Sequence, residues 1–343
     1  ALNEWKGVAF MTILDKKLET AKTVLILGHV RPDGDCIGSC LGLYNYLETV
    51  YPQIKAQVCL EEPAGKFAYL KGFDQISTLF PQDTSYDLCL CLDCSDESRL
   101  GEGIRGLKLA EDSICIDHHI TNTKYCRENV VLPEASSTCE VLFGLLNEEK
   151  ITKETAECLY TGIVHDTGVF RYSCTSSKTM EIAGKLMDKG INFTEIIDGS
   201  FFRKTYVQNQ ILGRALLESI TFLHGKCIFS VVRLKDMDFY GVTSKDLDGI
   251  IDQLRITEGV HCAIFMYEIE PQIFKVSLRS NTELNVAKIA GFFGGGGHVK
   301  AAGCTMSGTI YDVINNLSGH IEQQMIQLEG QKKEKEDDTC TTE

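Results

Sequence analysis

Apolar residues follow two alternating patterns along the first part of the chain. Short runs rich in Val, Ile and Leu take turns with longer segments in which apolar residues recur every three or four positions. The short runs predict buried strands, and the longer spacing predicts helices. The strand-like runs are 23–28, 55–61, 87–92 and 113–116. The helix-like segments are 1–22, 36–47, 141–146, 153–164, 177–189 and 193–202, and a capping pattern at 136–140 precedes the third of them. Strands that alternate with helices predict an α/β fold with a doubly wound, mainly parallel sheet.

The rest of the chain alternates in the same way on a smaller scale. Strands are predicted at 227–234, 261–268 and 274–279, and helices at 206–217, 244–255, 286–293 and 311–328. These elements predict a second, smaller α/β domain. The expected organisation is a first domain over 1–199, a linking helix over 200–218, a second domain over 219–330 and a polar, aperiodic and disordered tail over 331–343.

Composition and charge narrow the class of protein. The 343 residues are 43% hydrophobic, which is enough for a core in each of two domains. The formal net charge of −14 argues against a basic face that grips duplex or long nucleic acid, although it is compatible with a local positive pocket for a small anion. We find no membrane-spanning run and no signal-peptide pattern. The fifteen cysteines lie mostly inside apolar runs, as buried thiols do in a reducing compartment, so we expect a soluble cytoplasmic protein.

Aspartate and histidine residues stand at the ends of several predicted elements. The carboxyl ends of parallel strands meet at one rim of a sheet, where open α/β sheets bind ligands. One such residue is usually a loop residue or a helix cap, but the combination is typical of a binding site. The residues are His29, Asp33, Asp35, Asp93, Asp117, His118, His119 and Asp166.

The chemistry of this set favours metal ions. Asp33 and Asp35 would repel each other without a cation, and we expect Gly34 to allow a sharp reversal that brings them together. Carboxylate and imidazole ligands without thiolate suit hard or borderline ions such as Mn²⁺ or Mg²⁺ better than structural zinc. Two such ions about 4 Å apart would clamp a phosphoryl group and activate the attacking water.

The order and spacing of these residues resemble those of a known family. His29-x-x-x-Asp33-x-Asp35, Asp93, Asp117-His118-His119 and Asp166 resemble the four motifs of the DHH phosphoesterase superfamily. Residues 293–303, which contain Phe-Gly-Gly-Gly-Gly-His, resemble the glycine-rich signature of the DHH-associated domain in the nanoRNase/pAp-phosphatase group. The resemblance covers residues from about 20 to 325, essentially the whole chain.

The resemblance implies a role for each residue of the motifs. It assigns one ion to His29, Asp33 and Asp93 and a second ion to Asp35, Asp93, His118 and Asp166, so that Asp93 bridges the two. The expected catalytic residues are Asp93, His119, which would face the phosphate, and Asp117, which would fix a histidine tautomer. Arg31 stands where many relatives carry Asn, and we expect it beside the substrate. The implied cofactor is a pair of Mn²⁺ ions, with Mg²⁺ or Co²⁺ as substitutes.

The second domain adds a candidate phosphate cradle. The run Gly294, Gly295, Gly296 and Gly297 can expose successive backbone N–H groups in a concave turn. Arg279 and His298 add positive charge nearby, and Ser280 adds a hydroxyl. A glycine run alone is more often a flexible turn, so the cradle depends on these neighbours. The chain has no intact G-x-x-x-x-G-K-[ST] loop, which argues against an NTPase.

The expected function is a two-metal phosphoesterase with its active cleft between the domains. It would hydrolyse short single-stranded oligoribonucleotides to mononucleotides and dephosphorylate 3′-phosphoadenosine 5′-phosphate (pAp) to AMP. We expect no duplex nucleic acid and no membrane as partners, and a homodimer is compatible with the sequence. Alternatives are a phosphodiesterase of cyclic or linear dinucleotide messengers, an inorganic pyrophosphatase, and, outside the enzymes, a nucleotide sensor.

Overall fold

The computed structural model describes residues 11–340, with side chains described up to residue 331. The described chain divides into two compact units, and the division falls between Arg203 and Lys204. Trp5 and Val8 of the predicted N-terminal helix lie outside the described residues. Within the described residues, the first helix is Ile13–Leu18. Among residues 11–340, no helix has both the length and the apolar composition needed to cross a bilayer.

A six-stranded sheet forms the centre of the first unit. Its strands are Thr23–Leu27 (β1), Lys55–Cys59 (β2), Ile76–Ser77 (β3), Leu88–Leu92 (β4), Asp112–Asp117 (β5) and Glu128–Val131 (β6). Its helices are Ile13–Leu18 (α1), Gly34–Val50 (α2), Ile104–Leu109 (α3), Thr138–Leu145 (α4), Lys153–Asp166 (α5), Ser177–Met187 (α6) and Phe193–Ile197 (α7). The strand order is β3-β2-β1-β4-β5-β6, and all neighbouring pairs are parallel. The predicted doubly wound parallel sheet is confirmed.

Both faces of this sheet are buried. Successive side chains of a strand point to opposite faces, so each strand contributes to two cores. Val24 and Ile26 of β1 pack into the core formed with α2, α4 and α5, whereas Leu25 and Leu27 pack into a second core on the other face. The same division separates the leucines of β4 from its cysteines. Strands covered on both sides consist of continuous apolar residues, which is why the runs were readable in the sequence.

The strand order determines where a ligand can bind in the first unit. From β1 the chain moves outward through β2 to β3 and then returns to β4 on the other side of β1. The order therefore reverses between β1 and β4, and the crevice beyond the carboxyl ends of these two strands is the expected binding position in such sheets.

A second six-stranded sheet, which is mixed, forms the centre of the second unit. Its strands are Ile220–Phe222 (β7), Cys227–Val232 (β8), Cys262–Glu270 (β9), Ile273–Ser280 (β10), Gly296–His298 (β11) and Ala301–Ser307 (β12). Its helices are Tyr206–Leu217 (α8), Leu234–Tyr240 (α9), Ile250–Arg255 (α10), Val286–Phe292 (α11) and Ile310–Cys340 (α12). The order is β11-β12-β10-β9-β8-β7, with β8 and β9 parallel and the other pairs antiparallel.

Some predicted elements differ from the structure in extent. The helix predicted at 244–255 is a 3₁₀ turn, Ser244–Leu247, followed by α10, because Gly249 between them has a φ of 83°. Helix α12 continues to Cys340, into the tail from 331 for which a disordered segment was predicted. Lys, Glu and Gln are good helix formers, and they extend the helix without an apolar pattern.

Candidate metal centre

Strand ends of the first unit bring three side chains to the place where the strand order reverses. His29 follows β1, Asp93 follows β4 and His118 follows β5. Asp93 Oδ2 lies 3.4 Å from His29 Nε2, and Asp93 Oδ1 lies 3.8 Å from His118 Nε2. The two oxygens of one buried carboxylate therefore face two different histidines. Asp93 also has a φ of 54°, an uncommon conformation outside glycine that tends to occur at functional sites.

The start of α2 supplies two further carboxylates. Asp33 is the N-cap residue, and its Oδ1 accepts hydrogen bonds from the backbone N–H groups of Asp35 (3.1 Å) and Cys36 (3.2 Å). The same oxygen lies 3.7 Å from His29 Nε2. Asp35, two residues further along the chain, is fully buried. The helix start thus places one carboxylate at the surface of the site and one at its base.

The first turn of α4 holds the carboxylate of Asp35. The amide N–H of Thr138 donates to Oδ2 (2.6 Å), and that of Cys139 donates to Oδ1 (3.0 Å). The Thr138 hydroxyl donates to Asp93 Oδ1 (3.0 Å). The first N–H groups of a helix have no partners within the helix, so α4 can stabilise this buried negative charge. The capping pattern indicated the helix start, but it carried no sign that Thr138 would contact two site carboxylates.

Gly34 is required because α5 passes close to it. A Cβ atom at Gly34 would lie 2.2 Å from the ring of His165. Gly34 is the first residue of α2 and does not have a positive φ, so our prediction of a sharp reversal there is wrong. The close approach instead lets the last turn of α5 bring Asp166 to the site.

Asp166 completes a second group of donor atoms. Its Oδ2 lies 3.1 Å from His118 Nε2. Donor atoms of Asp35, His118 and Asp166 all lie within 4.8 Å of one another. The structure therefore brings the predicted ligands of both ions together around Asp93.

Hydrogen bonds orient two histidines for metal binding. The Nδ1 of His29 lies 2.8 Å from the carbonyl oxygen of Val30, and the Nδ1 of His118 lies 3.3 Å from that of Ala135. A carbonyl only accepts, so each Nδ1 carries a proton, and each Nε2 can coordinate a metal ion once its own proton has left. Both Nε2 atoms are the ones that face the carboxylates.

The charges of the cluster are unbalanced. Burial lowers the pKa of His29, but hydrogen bonds to Asp33 and Asp93 outweigh it and raise the pKa to about 12. Burial raises the pKa of Asp35, and the charges of Asp93 and Asp166 raise it further. Both shifts show that the centre of the cluster favours positive charge, which divalent cations would supply. The donor atoms, the inward-facing Nε2 positions and the charge together fit such cations.

Asp117 orients His119, whose Nδ1 also lies 3.7 Å from Asp93 Oδ1. The Nδ1–H of His119 donates to Asp117 Oδ1 (2.7 Å), and the Asn122 amide donates to Asp117 Oδ2 (2.6 Å). Burial raises the pKa of Asp117, but these hydrogen bonds outweigh it and lower the pKa below its ordinary value. For His119, the hydrogen bond to Asp117 raises the pKa. Asn122 is a second site residue that the sequence pattern does not reveal, because it lies in a loop outside the motifs.

Arg279 and His298 stand in one row across three neighbouring strands of the second unit. Arg279 of β10 pairs with Ala301 of β12, and Ala301 pairs with His298 of β11. Side chains of paired residues project from the same face of a sheet, and the small Ala301 leaves space between the two basic residues. Two strand spacings place them about 9.5 Å apart at the backbone.

The glycine run does not form the predicted turn of free amides. The N–H of Gly294 donates to the Gly291 carbonyl and that of Gly295 to the Ala290 carbonyl, both at the end of α11. Gly296 and Gly297 belong to the edge strand β11. The prediction that four successive amides point into a concave turn is therefore wrong, because two of the four amides end α11 and the other two residues lie in an edge strand.

Two other predicted substrate residues have structural contacts. The hydroxyl of Ser280 is buried and donates to the Thr282 carbonyl (2.9 Å). Arg31 is exposed, has a φ of 55°, and donates its backbone N–H to a carboxylate oxygen of Glu61 (2.7 Å). The side chain of Arg31 therefore remains available at the surface, whereas that of Ser280 closes a turn.

Known proteins share both halves of this architecture. The sequence model of the DHH family, N-terminal domain, matches residues 23–163, and the sequence model of the DHHA1 domain matches residues 224–327. The chain is 30% identical over 292 residues to the bifunctional oligoribonuclease and PAP phosphatase NrnA of Thermus thermophilus, covering 84% of this chain and 86% of that protein. The NrnA of Bacillus subtilis is 25% identical over 307 residues, covering 86% and 93%. The crystal structure of an exopolyphosphatase-related protein from Bacteroides fragilis superposes with a TM-score of 0.82 at 25% identity, covering 92% and 96%.

Proposed function

The chain belongs to the DHH family, and on this premise we propose that it is a metal-dependent phosphoesterase that hydrolyses short oligoribonucleotides to mononucleotides and dephosphorylates pAp to AMP. Relatives that match it over most of their length are named for these two activities. The observation that carries the proposal is the position of Asp93, whose two oxygens face His29 and His118 separately. A carboxylate so placed can bridge two ions, and a pair of ions can clamp a phosphoryl group during hydrolysis.

The residues fall into two overlapping ligand sets. His29, Asp33 and Asp93 would hold one Mn²⁺ ion, and Asp93, Asp35, His118 and Asp166 would hold the other. The support is the two Nε2 atoms that face the site, the buried carboxylates between them and the need of this cluster for positive charge. Mg²⁺ and Co²⁺ can bind the same oxygen and nitrogen donors. Compared with Mn²⁺, Mg²⁺ should bind them less tightly and Co²⁺ more tightly.

When bound, two such ions would stabilise the charge on the phosphoryl group and activate the attacking water. His119 would donate a hydrogen bond from Nε2–H to a phosphoryl oxygen. Asp117 stabilises the imidazolium form that this donation needs, because it accepts the Nδ1 proton at 2.7 Å. Asn122 keeps Asp117 in place through the other carboxylate oxygen. His119 is therefore a preorganised donor at the position where charge develops.

The second unit would bind the part of the substrate that does not react. Arg279 and His298 project from one face of the sheet and offer hydrogen-bond donors to a terminal phosphate. Arg31 is exposed and lies between His29 and Asp33 along the chain, so its guanidinium would add a further donor for the substrate. The net charge of −14 makes short, single-stranded substrates more suitable than duplexes.

Substrate comparison tests this function. Purified protein is assayed with Mn²⁺ and with a chelator on pAp, on RNA of two to five nucleotides, on a long single strand, on a cyclic dinucleotide and on pyrophosphate. We expect metal-dependent release of AMP from pAp and of mononucleotides from the short RNAs, with slower turnover of the other substrates. Faster hydrolysis of pyrophosphate or of the cyclic dinucleotide would replace the proposed substrate class, and binding of nucleotides without any turnover would indicate a sensor.

A further inference from the structure

A cysteine lies beside the first ligand set. The sulfur of Cys36, a nitrogen of His29 and a carboxylate oxygen of Asp93 all lie within 4.8 Å of one another. All three side chains are buried, with 0%, 5% and 2% of their surface exposed. A Cβ atom at Gly28 would lie 2.3 Å from the Cys36 sulfur, so the chain keeps this space open for the thiol.

The thiol offers a donor of a different kind from the carboxylates. Hard ions such as Mn²⁺ and Mg²⁺ bind carboxylate oxygens, whereas thiolate selects softer ions. We propose that His29, Cys36 and Asp93 form an alternative ligand set that binds a thiophilic divalent cation, Zn²⁺ or Cd²⁺. Cys36 then takes the place of Asp33, while His29 and Asp93 are common to both sets. The inference concerns the bound ion and does not depend on the substrate.

The distances suit a tetrahedral ion after a small adjustment. Zinc binds His nitrogen at about 2.0–2.1 Å and Cys sulfur at about 2.3 Å, so tetrahedral donor atoms lie roughly 3.4–3.7 Å apart. His29 Nε2 and Asp93 Oδ2 are already 3.4 Å apart. The sulfur must move closer by up to about an ångström, within the reach of a side-chain rotation. On binding, the Cys36 thiol and the protonated His29 ring each lose one proton to solvent, the bonds from the metal to sulfur and to Nε2 form, and the fourth position stays open to water.

This arrangement predicts competition at one position. An ion held by Cys36 occupies His29 and Asp93, so a hard ion cannot bind the first set at the same time. Zn²⁺ and Cd²⁺ are therefore expected to displace Mn²⁺ from the first site, and the loss of the thiol should make the protein more tolerant of them. Asp33 contributes to the hard-ion set only.

Cd²⁺ titration of metal-free protein tests the proposal directly. The titration follows the ultraviolet sulfur-to-cadmium charge-transfer band in a background in which the exposed Cys174, and Cys340, are replaced by Ser. Cys36→Ser is compared with Cys40→Ser, because Cys40 is equally buried one turn later on α2 but lies outside the three-donor group. Asp33→Asn, which retains a good N-cap side chain, is the complementary variant.

The two variants should affect different ions. We expect Cys36→Ser to abolish the band of the first Cd²⁺ equivalent and to weaken Cd²⁺ binding at least about tenfold, the lower limit for changes around a metal site. Cys40→Ser should retain the band, and Asp33→Asn should weaken Mn²⁺ binding while retaining the Cd²⁺ band. An undiminished band in Cys36→Ser, or a band lost only in Cys40→Ser, would overturn the proposal. X-ray absorption of the zinc form provides a second readout, with one sulfur neighbour at about 2.3 Å expected and none contradicting the assignment.

Discussion

The hydroxyl of Thr138 provides a sensitive test of how the bridging carboxylate is held. Thr138→Val keeps the volume and the backbone N–H that binds Asp35, but it removes the 3.0 Å hydrogen bond to Asp93. The side chain is fully buried, so no water replaces the lost donor without a rearrangement. Loss of a hydrogen bond to a charged group costs about 1.5–3 kcal/mol. We expect the metal-free variant to lose up to about this much stability.

The larger effect should be on metal binding. Without the hydroxyl, the Asp93 carboxylate can rotate, and metal binding must then order it so that each oxygen faces its own histidine. Changes to groups that orient a metal ligand typically weaken binding about 10- to 100-fold. Calorimetric titration with Mn²⁺ measures this change, and urea denaturation of the metal-free protein measures the change in stability.

Thr179→Val is the matched control. Thr179 is also fully buried, and its hydroxyl also donates to a carboxylate oxygen, that of Glu140 (2.7 Å), which is not a predicted ligand. Its hydroxyl also accepts the backbone N–H of Ser176 (3.1 Å), so the control should lose at least as much stability, but without losing Mn²⁺ affinity. Unchanged Mn²⁺ binding in Thr138→Val, or equal weakening in both variants, would refute the assigned role of Thr138.

Three further predictions concern other parts of the chain. His119→Ala should lower turnover about a hundred- to thousand-fold, the loss of roughly 3–4 kcal/mol of donor stabilisation, with little change in bound metal; wild-type rates, or the loss of both ions, would contradict its role. Arg279→Ala and His298→Ala should raise KM for a short 5′-phosphorylated RNA but not for bis-p-nitrophenyl phosphate, and an equal loss on both would refute a binding role. Burial raises the pKa of Asp112, but the 2.6 Å contact with Lys17 lowers it below 3.8 overall. Asp112→Asn should therefore cost at most about 1 kcal/mol at pH 7, and this difference should disappear as the pH falls through the lowered pKa; a difference that persists in acid would exclude the ion pair as its cause.

Much of the site was predictable because parallel strands end at a common rim. Residues that follow β1, β4 and β5 must lie near one another once those strands are neighbours, so His29, Asp93 and His118 could be grouped without knowledge of any contact. The division of these residues between two ions came from the family resemblance and stays a prediction.

The contacts that hold the ligands were not predictable. Thr138 lies 103 positions from Asp35 along the chain, and a capping pattern indicates only where a helix begins. In the glycine run, by contrast, contacts were predicted that do not form. The backbone N–H groups of Gly294 and Gly295 were expected to be available to a ligand, but they bond to carbonyl groups at the end of α11. Which backbone groups remain available depends on neighbouring elements, and local sequence does not contain that information.

The most direct test of the account is a Mn²⁺ titration followed by electron paramagnetic resonance, with wild-type protein compared with Asp93→Ala. If Asp93 bridges two ions, wild type should bind two Mn²⁺ per chain and show the spectrum of an exchange-coupled pair at the second equivalent. Asp93→Ala should lose both tight sites and all turnover of pAp, while circular dichroism shows an unchanged fold. Two uncoupled Mn²⁺ ions in wild type, or a coupled pair that persists in Asp93→Ala, would contradict the bridged centre from which the proposed function follows.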